Sequence, residues 1–267
     1  MTTVIVQGSG DVGSAIAHQL FLHGAKVIIS DEIAPAHLRR GMSFVDAYYQ
    51  GFAQLEGVAA QYVIHLPSER LEEILVCSLD VEALLAQTKA EVVIDARMKK
   101  RSTPQIPAWK TQYKTLLIGL GPGFETNTNC DIAIETAWGE SLGGEVIGST
   151  KPLEGEPRPI DGFTRERIVY APKAGIWNNT QNIGDVVQAE DVLGHIGGDA
   201  IMAPMSGILK GISHHGSYVK VQQKIIEIDP SGNAQLEGIG ERPRKIAQGV
   251  VNAIKKRGWG RTLSGIE

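Results

Sequence analysis

Apolar and polar positions in the first half of the chain alternate between short apolar runs and amphipathic stretches. Val4-Ile5-Val6-Gln7 and Lys26-Val27-Ile28-Ile29-Ser30 read as two buried strands. Between them Val12, Ala15, Ile16, Ala17, Leu20 and Phe21 share a helical stripe that His23-Gly24 terminates. Further strands are expected over residues 57–66, 74–79, 91–95, 116–119 and 132–136, with a loop running into a helix at 33–50 and another helix over 80–88. Strands alternating with helices predict a Rossmann-like, mainly parallel α/β sheet in a first domain, residues 1–150.

A Pro- and Gly-rich stretch, 149–164, reads as a linker or arm, and short alternating strands follow it. There Ala171-Pro172-Lys173-Ala174-Gly175-Ile176 returns as Ala203-Pro204-Met205-Ser206-Gly207-Ile208, displaced by 32 (203 − 171). The same offset carries Gly184 onto Gly216, Val187 onto Val219, Leu193 onto Ile225 and Ile196 onto Ile228. Such a repeat predicts two quasi-symmetric halves closing into a small all-β barrel-sandwich of biotinyl or lipoyl type at 165–230. The hairpin between the halves, residues 195–202, has no lysine, so no biotin or lipoyl attachment is expected. Residues 231–267 read as a loop and a C-terminal helix, with Ile246, Val250 and Ile254 on one face of 242–257. Lys255, Lys256 and Arg257 suit the negative end of that helix dipole.

The first strand runs directly into Gly8-Ser9-Gly10-Asp11-Val12-Gly13, and the second ends in Asp31, 18 residues past Gly13 (31 − 13). Strand, glycine turn, helix, strand and terminal acid form a dinucleotide-binding fingerprint. Gly8 allows the tight turn, Gly10 lets a pyrophosphate approach the backbone, and Gly13 lets the helix pack on the sheet. Free N–H groups and the helix dipole then face the phosphates, and Asp31 suits a ribose hydroxyl. Asp11 opens the helix, and Arg39 and Arg40 follow Asp31 closely enough to reach a phosphate or to form a solvated basic turn. Asp95, at a strand's carboxyl end, leads into Arg97, Lys99, Lys100 and Arg101, either a phosphate-holding loop or a surface one. Leu120-Gly121-Pro122-Gly123-Phe124 marks a turn whose N–H groups could cup an anion.

Cys130 lies among polar and small residues, and Glu135 follows it; together they are the candidate catalytic pair, Cys130 as a thiolate. Cys77, inside an apolar run, reads as core. Two distant cysteines with no metal-type spacing fit a reducing compartment, and no metal site is expected. A formal net charge of −4 argues against broad nucleic-acid binding. No apolar run approaches the ~18 residues of a membrane span. With the first strand starting near Met1, no secretion signal is expected and the cytoplasm is the expected location.

Several of these segments together resemble the accessory proteins of selenium-dependent molybdenum hydroxylases, related to proteins labelled xanthine dehydrogenase accessory factors. The resemblance rests on the glycine turn, Arg39-Arg40 with Ser43-Phe44, Asp95-Ala96 with Lys100, and 120–124. It continues through Asn129-Cys130-Asp131, Ile134-Glu135-Thr136, Arg167 and Ala171-Pro172-Ala174-Gly175, and departs where Arg101 follows Lys100 and across 149–162. It implies a maturation factor for a molybdenum hydroxylase client that inserts sulfur or selenium or handles the cofactor. The ligand would be an NAD(P)-like or molybdopterin dinucleotide held by Gly8, Gly10, Asp11, Gly13, Asp31, Arg40, Asp95, Lys100, Gly121 and Gly123. Two other classes stay open: a non-catalytic scaffold docking a partner enzyme through the β module, and an NAD(P)-dependent oxidoreductase, though no Tyr-x-x-x-Lys occurs. Self-association into a homo-oligomer is compatible with each.

Overall fold

The computed structural model describes residues 2–67, 72–99, 104–152 and 157–258. The chain opens with β1 (Thr3–Gln7), α1 (Asp11–Leu22), β2 (Lys26–Ser30), α2 (Ala47–Gln50), β3 (Phe52–Leu55) and β4 (Val58–Tyr62). It continues with β5 (Ile74–Cys77), α3 (Val81–Thr88), β6 (Val92–Asp95), α4 (Ala108–Tyr113), β7 (Leu116–Leu120), β8 (Ile132–Ile134) and β9 (Glu145–Val146). These strands form one nine-stranded sheet in the order β3-β4-β5-β2-β1-β6-β7-β8-β9.

Side-chain alternation along each strand divides the core between the two faces of this sheet. Val4, Val6, Val27, Ile29, Val92 and Ile94 point to one side, onto Val12, Ile16 and Leu20 of α1. Ile5, Ile28 and Val93 point to the other, onto Leu84 and Leu85 of α3. Both faces are covered, which is why the central strands are apolar throughout rather than alternating.

Eight further strands follow: β10 (Ile168–Tyr170), β11 (Gly175–Asn178), β12 (Val186–Val187), β13 (Val192–Ile196), β14 (Asp199–Met202), β15 (Gly207–Ile212), β16 (Tyr218–Val219) and β17 (Lys224–Asp229). They form two four-stranded antiparallel sheets, β10-β17-β15-β12 and β14-β13-β11-β16. Residues 32 apart adopt largely matching roles: Gly184 and Gly216 turn at φ +96° and +82°, and the pairs Val187–Val219, Leu193–Ile225 and Ile196–Ile228 are buried, whereas Ile176 is exposed. Trp177 is fully buried between the sheets and donates its indole N–H to the Ser213 carbonyl at 3.1 Å. The chain then returns to the first sheet as α5 (Glu241–Lys256), whose Ile246, Val250 and Ile254 join the core beside α1.

The expected fold class is corrected in both parts. The large sheet is mixed rather than a Rossmann-like parallel one: β3 pairs antiparallel with β4 at one edge, and β9 antiparallel with β8 at the other. The single strand expected at 57–66 is half of that first hairpin, which turns at Glu56 (φ +43°) and Gly57 (φ +81°). The β-rich part is not a self-contained biotinyl-type sandwich. Strand β10 lies upstream of the repeat and pairs with β17, while β15 gives its Ile212 N–H to the Leu38 carbonyl of the first half at 2.8 Å. Residues 153–156 of the expected linker lie outside the described residues.

Helix α5 is seated by a close backbone approach: a Cβ on Gly249 would lie 1.7 Å from the Gly143 carbonyl oxygen. Gly249→Ala gains ~1 kcal/mol of helix propensity, but the overlap forces a shift costing ~1–3 kcal/mol. A net loss of stability in urea unfolding is therefore expected, and an unchanged or raised midpoint would contradict this packing.

Candidate functional site

The parallel part of the sheet reverses its winding between β1 and β6. The chain leaves β1 through α1 toward β2, and leaves β6 through α4 toward β7 on the opposite side. Ligands of open α/β sheets bind off the carboxyl ends of strands at such a reversal. Here the two loops touch: a Cβ on Gly8 would lie 3.0 Å from the Ala96 carbonyl oxygen, and Gly8 itself sits at φ +102°. A Cβ on Gly13 would lie 1.9 Å from the Gly8 carbonyl oxygen, so only glycine lets α1 start this close to β1. Gly10 caps α1 with no side-chain bond, and of the first-turn N–H groups that of Val12 is taken by Asp11 Oδ1 at 2.9 Å.

The acid at the end of β2 is already engaged. Asp31 Oδ2 accepts from the Ser9 N–H (2.6 Å), the Ser9 hydroxyl (2.7 Å) and His37 Nε2 (2.9 Å), and Oδ1 accepts from the Glu32 N–H. Burial would raise the Asp31 carboxyl, but His37 and the two Ser9 donors outweigh it and hold it at about 2. Burial lowers the His37 imidazole, but the Asp31 carboxylate more than offsets this and its pKa is raised. The ring stands over the turn, with Nδ1 3.2 Å from where a Gly10 Cβ would be.

A second cluster adjoins the first. Arg39 donates from Nε and Nη2 to Glu227 of β17 (2.7 and 2.9 Å) and from Nη1 to Asp11 Oδ2 (3.0 Å). Arg167 donates to Glu227 Oε1 at 2.5 Å. Despite burial, which favours the neutral form, the two guanidiniums hold Glu227 at about 2. Asp11 also accepts the Val12 N–H. Arg242, in the first turn of α5, donates Nε–H to the Thr136 carbonyl at 2.7 Å. Burial lowers its pKa, with Asp11 and Glu135 opposing and Arg39 reinforcing the shift.

The remaining expected site residues divide. Gly8, Gly10, Asp11, Gly13 and Asp31 are brought together, and Asp95 borders them, holding Arg97 through Nε at 3.0 Å. Gly121 (φ +85°) and Gly123 (φ +87°) form the turn after β7; a Gly121 Cβ would meet Met98 Sδ at 3.1 Å and Thr136 Oγ1 at 3.3 Å. Gly123 also borders a cavity of about 500 Å³ with Ile106, Glu125 and Asn129. Arg40 faces Asp46 at 3.7 Å, whereas the neighbouring Arg39 reaches the glycine turn through Asp11. Lys100 lies outside the described residues.

The reactive-thiolate expectation for Cys130 is corrected. The residue is 3% exposed in the core with Leu117 and Phe124, and burial pushes its thiol up to about 12. Glu135 is buried too, and its carboxylate accepts the backbone N–H groups of Thr136, Ala137 and Lys151, organising the loop after β8. Sequence reasoning missed His37, Glu227 and Arg242 as site residues. Glu227 is 188 positions from Arg39, and no local pattern joins them. Among the described residues no group of three His, Cys, Asp or Glu could hold a metal ion. Nor, among them, is any helix long and apolar enough to cross a membrane.

Fold and crevice define an α/β protein with a glycine turn and a helix N-terminus at the reversal point of a large mixed sheet. No family model matches the chain. It is 32% identical over 257 residues to a relative described as "Uncharacterized protein YqeB" from Escherichia coli (strain K12), covering 94% of this chain. The chain spans about half, 47%, of that relative's length. Similar solved structures include a succinylglutamate desuccinylase/aspartoacylase from Rhodobacter sphaeroides, 11% identical over 87% of this chain and 85% of that one, with a TM-score of 0.29. Another is the ectoine utilization protein EutE (DoeB) from Ruegeria pomeroyi, 9% identical over 86% of each chain, with a TM-score of 0.27. A third is an imine reductase from Bacillus cereus, 15% identical over 46% of this chain and 32% of that one, with a TM-score of 0.23. None of these proteins is described as a molybdenum hydroxylase accessory protein. The expected membership of that accessory family, and with it the maturation role in sulfur or selenium insertion, is corrected accordingly.

Two outcomes follow from the burial of these groups. At neutral pH iodoacetamide is expected to leave both Cys77 and Cys130 unlabelled until the protein is denatured; rapid labelling of native Cys130 would show an accessible thiolate. Glu227→Gln leaves two guanidiniums without their carboxylate and should cost about 3–5 kcal/mol of unfolding free energy at neutral pH. Because the folded carboxyl is depressed to about 2, its stabilisation is full above the ordinary range near pH ~4.3 and is lost as pH falls through about 2. The variant's stability should accordingly fall less steeply across that acid window.

Proposed function

We propose that the crevice between β1 and β6 binds a nucleotide through its diphosphate, of the NAD(P)-like dinucleotide class. The geometry of the glycine turn carries this assignment: Gly8 at φ +102° and Gly13 against the Gly8 carbonyl bring the uncapped N-terminus of α1 to the sheet's reversal point. A diphosphate there would accept from first-turn N–H groups and gain from the helix dipole. Arg39, Arg97 and Arg242 lie nearby, and Arg39 and Arg97 are already paired with carboxylates (Glu227 and Asp11; Asp95) with which a diphosphate would compete. Asp31 Oδ1, with one N–H bond, retains acceptor capacity for a ribose hydroxyl. A cytoplasmic setting belongs to the same proposal, supported by two cysteines that are both unpaired.

Calorimetry with NAD, NADP and FAD tests it. At least one should bind, and Gly10→Val should weaken that binding about tenfold or more, ~1.4 kcal/mol, while the circular dichroism spectrum is unchanged. Failure of all three to bind both the unaltered protein and a variant lacking the His37 ring would refute the assignment.

A further inference from the structure

We propose that residues 31–40 are a cover over the glycine turn, held shut by the β-rich part of the chain, and that nucleotide entry requires its release. The proposal rests on the nucleotide assignment above and concerns how that crevice is regulated. The segment from 31 to 39 has no regular secondary structure and contacts both the glycine turn and the β-rich sheets.

Its inner side fills ligand space. The His37 ring stands 3.2 Å from where a Gly10 Cβ would lie, on the side from which a diphosphate approaches the backbone. The same ring binds Asp31 Oδ2, which also holds the Ser9 N–H and hydroxyl. Arg39 spans Asp11, in the first turn of α1, and Glu227. A bound diphosphate and Asp11 would compete for that guanidinium.

Its outer side is pinned to β15 and the turn after it. The Ile212 N–H donates to the Leu38 carbonyl at 2.8 Å, and the buried Ser213 hydroxyl donates to the Ala36 carbonyl at 3.2 Å. A Cβ on Gly211 would lie 2.5 Å from Leu38 Cδ1, so the glycine admits the cover against the strand. Tyr49, which donates its hydroxyl to the Pro35 carbonyl at 3.0 Å, stacks on His214 with ring centroids 3.9 Å apart and planes 6° apart. The β-rich part thus grips the cover from behind, and anything that shifts β15 or β17 would change how readily the crevice opens. When only a minor fraction of molecules is open, apparent affinity falls by that fraction, so destabilising the closed state tightens binding.

Binding of NAD, NADP and FAD to the full chain, its His37→Ala variant and its Ser213→Ala variant tests this. An open fraction of ~10% or less in the unaltered protein predicts that His37→Ala binds about tenfold tighter, with a smaller gain for Ser213→Ala. Binding by the variants alone would support cover and crevice together. If the unaltered protein binds and His37→Ala binds no tighter, the cover is overturned and the nucleotide site stands. If no form binds, both fall. Hydrogen exchange of the unaltered protein adds a readout independent of folding in the variants: amides 31–40 should exchange faster with nucleotide bound, and slower or unchanged exchange would overturn the cover.

Discussion

One buried carboxylate ties the two halves of this chain together. Glu227, 3% exposed on β17, accepts from Arg39 Nη2 and Arg167 Nη1 at Oε1 and from Arg39 Nε at Oε2. Taking a carboxylate out of water costs several kcal/mol, and only well-formed charge-assisted bonds offset it. Arg39 meets that requirement from the first half of the chain and then extends to Asp11 at the start of α1. The ion cluster that secures the β-rich sheets is therefore continuous with the first turn of the helix that opens the crevice.

The crevice itself follows from the parallel strands ending together. Gly8 after β1, Asp31 after β2, Asp95 ending β6, Gly121 after β7 and Glu135 after β8 all lie at carboxyl ends of strands of the one sheet. Their loops are braced mainly by backbone: Glu135 gathers three N–H groups, and Asn129 takes the Glu125 N–H while donating to the Gly123 carbonyl. These carboxylates and amides shape loops, which leaves the glycine turn and the bordering arginines as the groups suited to an anion.

How much of this could be read in the sequence depended on the range of each interaction. The turn from β1 into α1 was legible because glycine spacing and apolar periodicity are local. The hairpin at Glu56-Gly57 was not, because a glutamate at φ +43° gives no turn signal and the run after it reads as one strand. Cys130 misled through its polar neighbours: Asp131 stays at the rim, paired with Lys110, while the adjacent Cys130 side chain turns into the core. The family resemblance leaned on Gly121, Gly123 and Phe124. Two of these are glycines at positive φ, and the third packs its ring on Gly119, where a Cβ would lie 2.0 Å away. Such residues are what a tight turn after a buried strand requires, whatever the protein does. Glu227 acquires its role only when the β-rich sheets dock, and His37 meets Asp31 through a loop that carries no periodic signal.

The most direct measurement is a crystal structure of the full chain with the tightest-binding of NAD, NADP and FAD. Density for the diphosphate is expected against the N–H groups of residues 10–13, with the His37 ring moved off Asp31 and Arg39 turned from Asp11. A diphosphate bound elsewhere, or bound at the turn with the His37–Asp31 contact intact, would contradict the account.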